Sequence, residues 1–396
     1  MKKTLLDIDV YGKKVLLRVD FNVPIKDGKI TDDTRIIESL DTIKYLLDKG
    51  ASIIIMSHLG RPDGEVVKKY SLKPVHERLQ ELLPNTKIHM AKDVVGDDAQ
   101  KKASKLKMGE ILLLENTRFE KGEEANDPEF CKRLASLGDV YVNDAFGTAH
   151  RKHASTYGVG KLLPSAIGFL IERELTAING ALENKKRPFV ALLGGAKVSD
   201  KLGIVEKMCD IADTIIIGGG MAYTFLKAMG YKMGESIVDA EKIELARSIL
   251  FKANEKDVKI LLPCDHIVGK NIDDKEGVYI RTINIPDGYM GLDIGKLTIK
   301  QYTKAIKKAR TVIWNGPMGV FENPAFSEGT YKVAKAVAKC KGTTIVGGGD
   351  SVSAIDKMGF QKKITHISTG GGASLKLFEG KILPGVDVIE NKTVVL

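Results

Sequence analysis

The 396-residue sequence predicts an α/β protein made of two doubly wound parallel-sheet domains joined by a helix. Three observations predict it. Short apolar runs alternate with segments of helical period through almost the whole chain. The runs are continuously apolar rather than alternating, as in strands that a parallel sheet buries on both faces. A chain of this length, 43% hydrophobic, exceeds one comfortable core and suits two domains. The resulting architecture is Rossmann-like.

The elements follow in order. KVLLRVDF (14–21) reads as the first strand. TDDTRIIESLDTIKYLLDKG (31–50) reads as one helix. Thr31 is placed to cap it, Ile36, Ile37, Leu40, Ile43 and Leu47 recur on one face, and Gly50 is placed to end it. ASIIIMS (51–57), EILLLEN (110–116) and DVYVND (139–144) supply further strands of the first half. IERELTAINGALENKKRP (171–188) is helical, then charged, then stopped by Pro188. This marks 1–170 as a first domain, 171–187 as a connecting helix and 188–379 as a second domain. The second half takes its strands from PFVALLGG (188–195), DTIIIGGG (213–220), KILLP (259–263), TVIWNG (311–316), TTIVGGG (343–349) and THISTGG (365–371).

Composition narrows the function. No apolar run reaches the ~18 residues of a membrane span, so no membrane association is expected. Asp7 and Asp9 interrupt the stretch after Lys2 and Lys3, which argues against a signal peptide and for the cytoplasm. The cysteines at 131, 209, 264 and 340 are too dispersed for a disulfide framework or a zinc site. PCDHIV (263–268) reads as a strand end carrying a buried thiol and a loop histidine. The net charge of +10 comes from lysines scattered over helix faces, and one tryptophan among 6% aromatics offers no base-stacking platform. The charge therefore reads as solvated surface, and no nucleic-acid partner is expected.

Ligands of open α/β sheets bind beyond the carboxyl ends of the strands. In the second half those ends carry glycines: Gly194-Gly195, Gly218 to Gly220, Gly316, Gly347 to Gly349 and Gly370 to Gly372. Glycine lets a ligand approach the backbone, and a helix starting there presents free N–H groups to an anion. There is no GxxxxGK[ST], and no GxGxxG follows the first strand, so neither a P-loop nor a dinucleotide fold is supported. Asp350 directly follows the glycines. It serves either as a helix cap or as the ligand of a cation standing between it and a phosphate, as Mg²⁺ does. In the first half the strand ends are polar and cationic: Asp20 to Asn22, His58 to Arg61, Asn116 to Arg118, and His150-Arg151, with Arg35 early in the next helix. Arg61, Arg118 and Arg151 suggest a small polyanion pocket. One half thus suits a small phosphate-bearing acid, the other a nucleotide with Mg²⁺.

These residues sit in nine blocks that together resemble phosphoglycerate kinase: LLRVDFNVP (16–24), SHLGRPDG (57–64), LLLENTRF (112–119), VNDAFGTAHR (142–151), LLGGAKVSDK (192–201), IIGGGMAYTF (216–225), WNGPMGVFE (314–322), VGGGDS (346–351) and STGGGASL (368–375). The blocks run in order from end to end, and Ser351 stands where many members have threonine. The resemblance implies reversible transfer of a phosphoryl group between 1,3-bisphosphoglycerate and MgADP, giving 3-phosphoglycerate and MgATP. It implies a monomer whose domains close on their ligands, with a C-terminal tail, about 380–396, returning to the first domain. It places the acid-substrate contacts on Asp20, Phe21, Asn22, Arg35, His58, Leu59, Gly60, Arg61, Arg118 and Arg151. The nucleotide contacts fall on Gly195, Lys197, Lys201, Gly219, Gly291, Asn315, Glu322, Gly348, Gly349, Asp350 and Ser351, with Asp350 holding Mg²⁺. Arg35 and Lys197, assisted by the helix start at Gly371 and Gly372, would stabilise the transferring group, and HISTGG (366–371) is the hinge candidate. A nucleotide-binding relative without catalysis is the alternative, and intact Arg35, Lys197 and Asp350 argue against it.

Overall fold

The computed structural model describes residues 1–196, 199 and 201–392. The chain divides into two compact units. The first is Met1–Thr176 with the segment from Ile382 onward, and the second is Ala177–Lys381. The division falls inside the helix Phe169–Glu183.

The sheet of the first unit has six strands in the spatial order Ile88–Met90, Ile111–Leu113, Ser52–Met56, Lys14–Arg18, Val140–Asn143, Ser165–Ile167. Every pairing is parallel. Strands Ser52–Met56, Ile111–Leu113 and Val140–Asn143 are buried at every position, which accounts for their unbroken apolar runs. Burying each isoleucine of Ile53-Ile54-Ile55 stabilises the fold by about 1.5–3 kcal/mol. The chain sets out from Lys14–Arg18, builds toward one edge, then crosses back to add Val140–Asn143 on the other side. That reversal is where such sheets open a crevice for ligands. The first strand stops at Arg18, three residues before the expected end, so Asp20, Phe21 and Asn22 leave the sheet at its carboxyl edge.

The expected helix over 31–50 is two helices, Thr34–Glu38 and Leu40–Asp48. They break at Ser39, whose hydroxyl donates to the Arg35 carbonyl at 3.2 Å and bends the chain. Thr31 does not cap the first helix; its N–H and hydroxyl turn back to the Pro24 carbonyl. The break also rotates Ile37 out to solvent, while Ile36, Leu40, Ile43 and Leu46 stay buried. Gly50 does end the second helix. The segment after Ile382 belongs to the first unit through the Lys3 N–H to Glu390 carbonyl bond, 2.8 Å, and the Asn143 amide to Gly385 carbonyl bond, 2.7 Å.

The second unit repeats the design with the order Lys259–Leu261, Thr214–Ile217, Phe189–Leu193, Thr311–Asn315, Thr343–Val346, His366–Ile367, again all parallel. Its reversal lies between Phe189–Leu193 and Thr311–Asn315. A three-stranded antiparallel sheet, His266–Gly269, Val278–Ile280 and Met290–Ile294, was not foreseen, because its strands are short and glycine-interrupted. It corrects the reading of His266, which is a buried strand residue bonded to the Ile283 carbonyl at 3.0 Å rather than a loop residue. Asp265 beside it accepts from Thr298 N–H at 2.8 Å and Leu297 N–H at 2.8 Å, anchoring the start of the helix Lys296–Lys308. Among the described residues no helix is long and apolar enough to cross a membrane.

Candidate functional site

In the first unit the carboxyl ends of Lys14–Arg18, Ser52–Met56, Ile111–Leu113 and Val140–Asn143 bring the expected cationic residues onto one edge. The Arg35 guanidinium donates to Asp20 at 2.9 Å and remains part-exposed. Arginine carries five N–H donors, so this bond leaves most of them for a ligand. Asn22 accepts the Gly60 N–H at 2.9 Å, and Phe21, wholly buried, donates its N–H to Ser57 at 2.9 Å. These two bonds tie the 20–22 loop to the His58-Leu59-Gly60 turn. Buried Arg118 donates to the Gly60 carbonyl at 2.8 Å and pairs with Glu124. Burial lowers its pKa, and Arg151 and Arg18 act the same way against the opposing pull of Glu124. Arg61 is exposed, and neither Arg61 nor Arg151 has a carboxylate within ion-pair distance among the described residues.

His58 stands within this charge. Burial pushes its pKa well below 6.5, and Arg18, Arg118, Arg35 and Arg151 push it further in the same direction. It is therefore a neutral imidazole. Arg18, which only donates, lies 3.2 Å from Nδ1, so Nδ1 accepts and the proton resides on Nε2.

Sequence reasoning missed Arg18. It is 1% exposed, and its Nε donates to the Ser155 hydroxyl at 2.7 Å, which in turn meets buried Glu123 at 2.5 Å. Glu123 thus supplies a buried countercharge to Arg18 through a hydroxyl. The missed signal was a charged residue in the middle of an apolar strand run, VLLRVDF, where burial demands a partner. Asn116, read only as part of a polar strand end, was given no role. Its amide makes four bonds, with Leu59 N–H and carbonyl, Arg118 N–H and the Tyr70 carbonyl, and pins both loops.

In the second unit the site is backbone. Gly194 and Gly195 donate to the Asn315 and Pro317 carbonyls, each at 2.9 Å, which zips the two strand ends at the reversal. Gly219 has φ +65°, and a Cβ there would lie 2.6 Å from the Gly195 nitrogen, so no other residue fits. Gly348 has φ +92°, with the Asn315 amide 2.4 Å from where a Cβ would sit. It is the N-cap of the helix Gly349–Lys357. The buried Asn315 amide donates to the Gly347 carbonyl at 2.7 Å, and the buried Ser351 hydroxyl accepts the Gly316 N–H. These two side chains therefore hold the turns in place. Lys201 donates to the Gly194 carbonyl beside the same turns. Gly371 and Gly372 begin the helix Gly372–Phe378. Lys197 lies outside the described residues.

A cavity of about 200 Å³ opens beside these turns. Gly195, Gly219, Gly291, Glu322 and Asp350 line it with an apolar wall that includes Ile237, Ile272 and Leu292. Gly291 is required there because a Cβ would lie 2.1 Å from the Tyr223 hydroxyl. Asp350 is exposed in the first helical turn and accepts no hydrogen bond among the described residues, so it does not cap the helix. Such a face can take a flat base on its apolar wall and a phosphate chain along the glycine turns.

Comparison with known proteins gives a consistent result. The Phosphoglycerate kinase family model matches residues 5–381. The phosphoglycerate kinase of Clostridium perfringens strain 13 is 54% identical over 393 residues, covering 99% of each chain. That of Finegoldia magna is 53% identical over 393 residues, covering 99% of this chain and all of its own. Among solved structures, phosphoglycerate kinase from Coxiella burnetii aligns with TM-score 0.89 and 40% identity over 98% of both chains.

Proposed function

Because the chain belongs to the phosphoglycerate kinase family, we propose that its two strand-end sites divide one reaction between them. The reaction is reversible phosphoryl transfer between 1,3-bisphosphoglycerate and ADP, giving 3-phosphoglycerate and ATP. The first unit takes the phosphoglycerate and the second takes the nucleotide. One observation carries the first assignment: four guanidiniums act on one neutral imidazole, while Arg151 and Arg61 have no carboxylate partner among the described residues. A small polyanion completes that charge balance.

Phosphoryl transfer spreads negative charge over three equatorial oxygens, so the protein mainly positions and neutralises. In the ATP-forming direction the attacking ADP oxygen is already anionic and the leaving group is a carboxylate, so no general base is needed. Asp20 orients Arg35, whose remaining N–H groups meet the transferring oxygens. His58 donates from Nε2 to the acid substrate without adding charge of its own. Arg61, Arg118 and Arg151 hold its phosphate and carboxylate. The family resemblance gives Lys197 the role of neutralising the developing charge, with the amides at Gly371 and Gly372 assisting. The turns at Gly195, Gly219, Gly348 and Gly349 hold the nucleotide phosphates, and Gly291 and Glu322 bound the base and ribose.

Mg²⁺ suits the donor set beside these turns. Asp350 is an exposed carboxylate that, among the described residues, has no protein partner and belongs to no cluster of three or more His, Cys, Asp or Glu able to cage a metal. Mg²⁺ is commonly held this way, by one or two carboxylates with phosphate oxygens and waters completing the shell. When bound it would neutralise phosphate charge. Asp350 would orient it.

The test is ADP release from purified protein given 3-phosphoglycerate and MgATP, with a coupling enzyme consuming the acyl phosphate. Turnover that requires both the acid and Mg²⁺ is expected. A folded protein that binds nucleotide and does not turn over would overturn the reading.

A further inference from the structure

We propose that the first unit carries a second anion site, remote from the arginine edge, for a compact small-molecule polyanion of three or more charges. A concavity of about 340 Å³ lies along the edge strand Ile88–Met90. It reaches the amino-terminal ends of that strand and of Ile111–Leu113, the opposite end of the sheet from Asp20 and Arg118. Lys87, Lys101, Lys102, Lys105 and Lys107 line it, against the carboxylates Asp98 and Glu110.

The ion pairs do not balance this charge. Asp98 is held by Lys102 at 2.8 Å, and Glu110 by Lys87 at 3.4 Å and His89 at 3.2 Å. Lys101, Lys105 and Lys107 are left without a carboxylate in reach among the described residues. A structural account covers only part of this. Lysines in the last turn of the helix Asp97–Lys105 complement its dipole, which explains Lys102 and Lys105. Lys107, just past the C-cap Leu106, falls under the same account; Lys101, earlier in the helix, and Lys87, from before the edge strand, do not, and they reach the same hollow. Lys102 is also fixed in place, donating to the Met90 carbonyl at 2.7 Å. Like charges gathered in a concave wall raise the local potential and concentrate anions.

The shape selects the class of ligand. The hollow holds only about 340 Å³, which suits a compact anion over an extended polymer. The one ring lining it is the His89 imidazole, already paired with Glu110 at 3.2 Å, so there is no series of rings for successive unpaired bases to stack on. Ammonium groups read charge rather than planar geometry. Multiplicity of charge is therefore what this site discriminates, with an oligophosphate chain as the model ligand.

The experiment is calorimetric titration of the full chain with inorganic tripolyphosphate. Saturating 3-phosphoglycerate and metal-free ADP, a pair with no phosphoryl donor between them, fill the catalytic ends. One equivalent of tripolyphosphate is expected to bind. Lys101→Glu with Lys105→Glu should weaken it by about tenfold or more, two positive charges becoming two negative ones. Lys101→Arg with Lys105→Arg should retain it, and both pairs should keep wild-type turnover because these exposed lysines lie outside the catalytic residues. No binding to wild type, or equal binding to the charge-reversed variant, would overturn the proposal. So would a single-stranded oligonucleotide that binds through these lysines where tripolyphosphate does not. The variant comparison does not depend on which reaction the chain catalyses.

Discussion

Both units are built on a six-stranded parallel sheet with a central reversal, though the first inserts Ile111–Leu113 between Ser52–Met56 and Ile88–Met90 where the second runs outward in chain order, and they build their sites by opposite means. The candidate site of the first unit is made of side chains: Arg35, His58 and Arg118, with buried Arg18 behind them, are held by Asp20, Ser155 and the Gly60 carbonyl. The candidate site of the second is made of backbone, and its buried side chains, Asn315 and Ser351, are spent on holding glycine turns. On the proposed division of labour the difference follows from the ligands. A small acid offers little surface, so its site must supply concentrated charge. A nucleotide brings a long phosphate chain, and a row of amides with an apolar wall suffices to follow it. The lesson is that the same fold fails in two ways: the first site by loss of charge, the second by gain of a Cβ.

The comparison can be broken most severely at Arg35. Arg35→Ala should lower kcat by about 10²–10³, as loss of a preorganised donor does. A loss confined to KM would instead make Arg35 a uniform binding group. The matching change in the second unit is Gly348→Ala. Forcing alanine to φ +92° against the Asn315 amide should cost about 1–3 kcal/mol. Calorimetry should find nucleotide affinity reduced and 3-phosphoglycerate affinity unchanged; equal loss of both would erase the division of labour. Ser155→Ala sharpens the account of the first unit. It strips the bridge between Arg18 and Glu123 and should cost about 1–3 kcal/mol in denaturant unfolding.

The smallest effect is one of pH. Folded His58 titrates far below 6.5, so below that pH the unfolded chain binds more protons than the folded one. Stability from this residue is full above 6.5 and declines as pH falls, by up to about 1.4 kcal/mol per unit. His153, held at about 4 by burial and then by Arg118 and Arg151, adds to the decline between 6.5 and 4. Asp144 opposes it: burial raises its carboxyl to about 6, so its contribution is present in acid and lost as pH rises through 6. Chemical denaturation between about pH 5 and pH 7 should therefore show a flatter slope in His58→Gln than in wild type. An unchanged slope would mean that His58 is not kept neutral.

Much of this was legible in the sequence because the signals were long or repeated. Continuous runs such as ASIIIMS announced buried parallel strands, and glycines at five strand ends announced tight turns at the carboxyl edge of the second sheet. What stayed hidden depends on contacts distant in sequence. Glu123 meets Ser155 across 32 positions, and nothing local marks either. The break at Ser39 is one back-bonded hydroxyl inside an otherwise helical period. The antiparallel strand Met290–Ile294 owes its Gly291 to the bulk of Tyr223, which no pattern within the strand reveals.

One further feature gives the molecule an optical label. The chain has a single tryptophan, Trp314, fully buried next to Asn315 and bonded through its indole N–H to the Gly316 carbonyl at 2.7 Å. Selectively excited indole emission therefore reports on the second unit alone, from beside its glycine turns. The first unit is silent at that wavelength. Ligand titrations and unfolding curves can be assigned to a unit by comparing this emission with far-ultraviolet dichroism, with no dye and no engineered residue.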